Sequence, residues 1–274
     1  MKGSTWKDPN LSLLTIRCME KQYADTFISR GCLKFNTPKF WEEWAEKGRG
    51  DVYEGALAFY SRQYPTQYEG LKYKYPNAYQ YELEKRILLK DKRDMNLPCL
   101  CFYTSTLKNY AVPSEEGKKK ISTIIDGRYF KDFADNKTVE EIARLPLEEQ
   151  PAMVLIQDFD EFLKRLKSAL IDHGLKEDEI LVQLVEYIDH STFGGDDSWM
   201  DFNTKSPKEL FVKSKDFSYQ NELRIVIDTD DPVQLKLFEN PIDIGNLSDI
   251  AVESVGYHPE GVILGATANI QMTD

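Results

Sequence analysis

The stretch Tyr219-Gln220-Asn221-Glu222-Leu223-Arg224-Ile225-Val226-Ile227 constrains the fold more than any other part of the chain. As a strand it sends Gln220, Glu222 and Arg224 to one side and Leu223, Ile225 and Ile227 to the other. Such a strand needs a core against its apolar side. Its charged side either meets water or belongs to a site.

The remaining patterns say what kind of sheet receives it. Leu11–Cys18 reads as a strand whose apolar run ends in Arg17. Helix is expected over Glu20–Arg30, stopped by Gly31, and again from Pro38 with Thr37 as its cap. Cys32–Asn36, Leu83–Leu89 and Pro98–Ser105 read as strands, and Ala152–Ile156 and Val262–Ala266 as buried ones, being unbroken apolar runs. Asp158 caps a helix over Phe159–His173, with Phe159, Phe162, Leu163, Leu166 and Leu170 at helical spacing. Ile180–Ile188 is open between strand and helix. Gly194–Asp197 reads as a turn, Leu210–Lys215 as a short extended piece, and Val233–Phe238 as the hairpin partner of Glu222–Asp228. Strands and helices mix without strict alternation. The pattern predicts an α+β fold, a mixed but largely antiparallel sheet with flanking helices. A single domain over residues 1–274 is expected, with a tyrosine-rich insertion at about 59–81 and a helical insertion at about 112–150.

Composition narrows the function classes. With 14 Phe, 15 Tyr and 4 Trp the chain is too aromatic to be disordered. Its 35 basic against 46 acidic residues give a net charge of −11, which disfavours non-specific nucleic-acid binding. Cys18, Cys32, Cys99 and Cys101 lack the spacing of a zinc site and read as thiols in a reducing cytosol. His173, His190 and His258 pair with nothing at ligand spacing, so no metal is expected. No membrane-length apolar run and no signal-peptide pattern occur, and a cytoplasmic protein is expected. The commonest hydrolase, P-loop and zincin motifs are missing.

Three separated segments carry the chemistry that is left: Arg17 at a strand end, Thr104-Ser105-Thr106 at another, and Gln220-x-Glu222. Their order resembles the arginine–serine–glutamate class of ADP-ribosyltransferases, whose own middle motif runs Ser-Thr-Ser. The resemblance implies NAD as the substrate nucleotide. Arg17 would hold a phosphate, Thr104 and Ser105 would shape the nicotinamide pocket, Glu222 would be catalytic, and Gln220 would orient the acceptor. The physics fits: guanidinium binds phosphate bidentately, and a carboxylate stabilises a developing ribosyl cation. Arg17, Ser105 and Glu222 should then converge on one cleft.

A second resemblance runs through four blocks in order. They are Gly31-x-Leu33-x-Phe35, Arg49-Gly50-Asp51-x-x-Glu54-Gly55, Lys213 with Phe217-x-Tyr219-Gln220-x-Glu222-x-Arg224, and Ile244-Gly245-x-Leu247-x-Asp249-Ile250. Together they resemble a family of uncharacterised bacterial and phage proteins, which implies a phage or prophage setting. Tyr219 and Arg224 are read as flanking the nucleotide. Arg49 and Asp51 either line the mouth of the same site or brace a turn. The tyrosine-rich insertion either stacks a base or forms a packing surface. Two functions stay open: an ADP-ribosyltransferase-like enzyme or NAD glycohydrolase, and a non-catalytic phage–host conflict protein. The second would bind a host defence protein or sequester a nucleotide signal, as a homo-oligomer or in complex.

Overall fold

The computed structural model describes residues 13–45, 50–61, 70–71, 73–106, 111–113, 118–189, 207–254 and 257–269. Arg49 and the expected turn at 194–197 fall outside the described residues.

The chain opens with strand β1 (Leu13–Glu20) and helix α1 (Lys21–Arg30). Gly31 ends α1 in the left-handed region at φ 62°, and its amide returns to the Phe27 carbonyl. Strand β2 (Cys32–Leu33) follows, then α2 (Pro38–Ala45), capped by Thr37 through the Phe40 amide. Strands β3 (Ala56–Ser61), β4 (Ala78–Glu82) and β5 (Arg86–Asp91) form a small sheet in the order β3-β5-β4. The tyrosine-rich insertion is thus partly a sheet, because β5 pairs through Arg86–Lys90 with β3 and through Ile87–Asp91 with β4. Next come β6 (Cys99–Thr106), β7 (Ala111–Pro113) and β8 (Lys118–Ile125).

Residues 112–150 are less helical than their charge suggests. Before helices α3 (Gly127–Phe133) and α4 (Val139–Ala143) they give up β7 and β8 to a sheet completed from the far end of the chain. Strand β9 (Pro151–Ile156) leads into α5 (Phe159–Asp172), whose Asp158 cap accepts from the Glu161 amide. The ambiguous stretch resolves into β10 (Ile180–Leu184) and β11 (Glu186–Ile188). β12 (Val212–Ser214) and β13 (Glu222–Ile227) follow.

Val233–Phe238 does not pair with β13. It forms helix α6 (Pro232–Leu237), because Asp231 caps the Val233 amide and Pro232 pre-sets the first helical turn. Ser248-Asp249 makes a turn and no helix. Strands β14 (Ile242–Asp243), β15 (Ala251–Ser254) and β16 (Val262–Asn269) close the chain, with β16 paired to β8 over eight residues.

The centre is a six-stranded sheet in the order β10-β13-β6-β1-β9-β15, antiparallel at every step. The fold is α+β with a largely antiparallel sheet, as the sequence pattern predicts. One face carries Phe102, Val154, Leu223, Ile225 and Ile227 against Phe27 of α1 and Phe162, Leu166 and Leu170 of α5. The other carries Ile16, Cys18, Tyr103 and Met153 against Phe130 of α3. Among the described residues no helix is long and apolar enough to cross a membrane.

Candidate active site

The site is built where β13 begins. Residues Lys215–Gln220 form a turn of 3-10 helix, and Asn221 then takes the left-handed conformation at φ 38°. Both the amide and the hydroxyl of Thr104 donate to the Asn221 carbonyl, at 2.8 and 2.9 Å. That double bond to β6 fixes the corner from which Glu222 enters the sheet. Gln220 is therefore not on the strand. It ends a helical turn and reaches the same place as Glu222 by a different route.

Glu222 and Arg224 share the β13 face that also carries Cys99, Cys101 and Tyr103 of β6, because directly paired residues point to the same side. Here the charged strand face is buried: Arg224 is wholly enclosed and Glu222 is 7% exposed. Arg224 donates through Nε and Nη2 to Glu222 Oε1, at 3.0 and 2.7 Å, and its Nη1 lies 2.7 Å from Glu54 Oε1. The Arg224 guanidinium also lies 5.0 Å from the centre of the Trp41 ring. Lys213 Nζ stands 3.3 Å from Glu222 Oε2, 3.8 Å from Glu54 Oε2 and 2.7 Å from Gln220 Oε1. The Glu222 amide donates to the Tyr187 hydroxyl at 2.8 Å.

Two carboxylates and two cations thus share a largely buried space. Burial alone would raise the Glu222 carboxyl, but Arg224 and Lys213 outweigh it and hold the group down at about 2. Burial lowers Lys213, yet Glu222 and Glu54 bring its ammonium out above the ordinary value. Cys101 is pushed well up, by burial first and then by Glu222, so it sits beside the carboxylate as a neutral thiol.

Above this cluster lies a pocket of about 490 Å³. Glu222, Gln220, Lys213, Arg224 and Cys101 line its floor, and Phe40, Trp41, Tyr103, Tyr129 and Phe133 supply aromatic walls. Gly50 and Glu54 bring the 50–55 loop to its edge. The volume falls in the range of small-molecule sites, roughly 300–1,000 Å³.

The residues singled out in the sequence fall into three groups. Glu222, Gln220 and Arg224 come together at the pocket. Tyr219 stands beside it, its hydroxyl donating to Asp132 of α3. Thr104 is buried and spends its hydroxyl on the Asn221 carbonyl, so it shapes the site through the backbone. Ser105 pairs with Leu14 along the β6–β1 ladder.

Arg17 is not brought to the pocket. It pairs with Val154, on the opposite face of the sheet, its guanidinium lies 5.5 Å from the centre of the Phe102 ring, and it donates to the Lys34 carbonyl. Its Nη1 is buried with no hydrogen-bond partner, and burial lowers its basicity. A register one residue away would have turned it toward Glu222, which is why a lone arginine on a strand cannot be assigned a face from sequence. Asp51 is buried and braces a turn: it accepts from the Tyr53 amide at 2.9 Å and the Ser214 amide at 2.5 Å.

Glu54, Lys213, Cys101, Trp41 and Asp132 join the site without having been singled out as site residues. For Glu54 and Lys213 a signal existed, since both fall in the four sequence blocks on which the second resemblance rests. Nothing in the sequence pointed to Asp132, which reaches the site from α3. Among the described residues no group of His, Cys, Asp and Glu side chains is arranged to hold a metal ion. Comparison with protein-family models, curated proteins and solved structures finds no significant match to the chain.

Proposed function

We propose that this chain is an ADP-ribosyltransferase-like protein acting on NAD or a related nucleotide, with Glu222 as its catalytic carboxylate. The observation that carries this is an ionised, buried carboxylate on the floor of an aromatic-walled pocket of ligand size. The topology supports it in part: the strands bearing Glu222 and Thr104-Ser105 are immediate neighbours, β13 beside β6. The pocket suits the ribosyl–nicotinamide end of the nucleotide. As the C1′–N bond breaks, its electron pair leaves with nicotinamide and positive charge develops on the ribose. A fixed carboxylate close by stabilises that charge. Water or an acceptor nucleophile then bonds to C1′ and loses its proton.

Arg17, facing the other side of the sheet, is not assigned the phosphate in this proposal. The test is nicotinamide release from NAD by the purified protein and by Glu222→Gln. We expect release to fall by at least about 10²-fold in the variant, with the circular dichroism spectrum of a folded protein kept at the lower stability that loss of a buried anion brings. Phe133→Ala, at the exposed rim, should weaken turnover without disturbing the ions. A wild-type protein that neither cleaves nor binds NAD overturns the proposal.

One observation favours a second function. Both oxygens of Glu222 are already engaged, one by Arg224 and one by Lys213. A pocket so neutralised suits a non-catalytic phage–host conflict protein that captures a nucleotide signal or a host defence protein in the bacterial cytosol. A nucleotide recovered intact from the pocket, or a defined oligomer in light scattering with no NAD turnover, would decide for it.

A further inference from the structure

Gln220 is held at both ends of its carboxamide. Its oxygen accepts from Lys213 Nζ at 2.7 Å, and its nitrogen donates to Asp132 Oδ2 at 3.0 Å. The two ends of a carboxamide are nearly the same size, so its orientation is set by its partners. A cation on one side and a carboxylate on the other admit one orientation only.

Asp132 is itself fixed. It also accepts from the Tyr219 hydroxyl, and the Tyr219 ring lies 4.2 Å from the Arg128 guanidinium on the same helix as Asp132. The start of that helix is clamped: at Gly127 a Cβ would lie 2.0 Å from the Pro259 carbonyl oxygen. Contacts therefore run without a gap from α3 through Asp132, Gln220 and Lys213 to Glu222.

We propose that Asp132 is a positioning residue of the Glu222 site, acting through Gln220. By locking the carboxamide it keeps the Gln220 oxygen on Lys213, and so keeps Lys213 at its station beside Glu222. α3, which contributes no strand to the central sheet, thereby controls the geometry of the pocket floor. The proposal rests on the Glu222 pocket being the substrate site.

The test combines two measurements, one on wild type, Asp132→Asn and Tyr219→Phe, the other on wild type, Asp132→Asn, Gln220→Ala and the double variant Asp132→Asn with Gln220→Ala. The first is hydrogen exchange of the Gln220 side-chain amide by nuclear magnetic resonance. It should be slow in the wild type and about tenfold faster in Asp132→Asn, with a smaller rise in Tyr219→Phe. The second is the pH profile of nicotinamide release. Its acid limb should move upward in Asp132→Asn and Gln220→Ala alike, with no further move in the double variant. Unchanged amide exchange in Asp132→Asn overturns the proposal, as does an equal Asp132→Asn effect on the profile when Gln220 is already alanine. If the wild type cleaves no NAD, the proposed function falls alone, because amide exchange still decides the role of Asp132. Asp132 is exposed, so its variant is not expected to unfold the protein.

Discussion

Glu222 and Glu209 are both buried, and their surroundings push them in opposite directions. Glu222 has Arg224 and Lys213 against it and is held low. Glu209 is 2% exposed, and burial, then Asp94 and Asp91, raise its carboxyl well above the ordinary range. The consequences for stability have opposite signs. The surroundings of Glu209 favour its protonated form in the folded protein, whereas in the unfolded chain it ionises above about pH 4.3. It therefore withdraws stability as pH rises from there toward its folded value, by up to about 1.4 kcal/mol per pH unit. Glu209→Gln removes that loss, so its advantage over wild type in urea unfolding should be smaller at pH 4.5 than at pH 7. An advantage independent of pH would show that Glu209 is not held protonated. Glu222 runs the other way. Its folded value is depressed, so its contribution is present above about pH 4.3 and fades as pH falls toward 2. The acid limb of the unfolding curve should be shallower in Glu222→Gln than in wild type, and two parallel limbs would refute the low value.

Elements whose ends are marked by local chemistry were legible before the fold was known. Asp158, Thr37 and Gly31 announce α5, α2 and the end of α1, since capping depends only on neighbours in the chain. Gly31 also shows why such a signal is strict. Its φ is 62°, and a Cβ there would sit 2.4 Å from the Gly245 carbonyl oxygen. Gly31→Ala should cost about 1–3 kcal/mol in denaturant unfolding, and a neutral result would mean that the α1–β14 junction is loose. Strands with an alternating or unbroken apolar run were legible too, but a strand without one was not. β8 needs β16, more than a hundred residues away, and nothing in its lysine-rich start signals a strand. The same division holds at the site. Alternation placed Glu222 and Arg224 on one face, but the left-handed Asn221 corner that takes Gln220 off the strand depends on Thr104 in another strand. Arg17 was misplaced because the face of a strand residue follows from register, and register is a property of pairs.

Across the whole molecule, buried polar contacts at the loop leading into β3 tie the small β3-β5-β4 sheet to β12 and to β13 of the central sheet. Asp51 holds the Ser214 amide, and Glu54 reaches Arg224 and Lys213. A buried group of two anions and two cations is neutral, and its members tolerate burial only together. Removing one anion leaves an uncompensated positive charge in a largely buried space. Glu54→Gln should therefore destabilise the protein by about 3–5 kcal/mol. Removing one anion and one cation together, as Glu54→Leu with Lys213→Met, leaves the Glu222–Arg224 pair with its two short hydrogen-bond contacts and restores neutrality. The double variant should be more stable than Glu54→Gln although it loses more polar atoms. Urea unfolding of both against wild type, with slopes matched to show the same surface exposed, tests this. A double variant less stable than the single one would mean that individual hydrogen bonds, and not charge balance, join the two sheets.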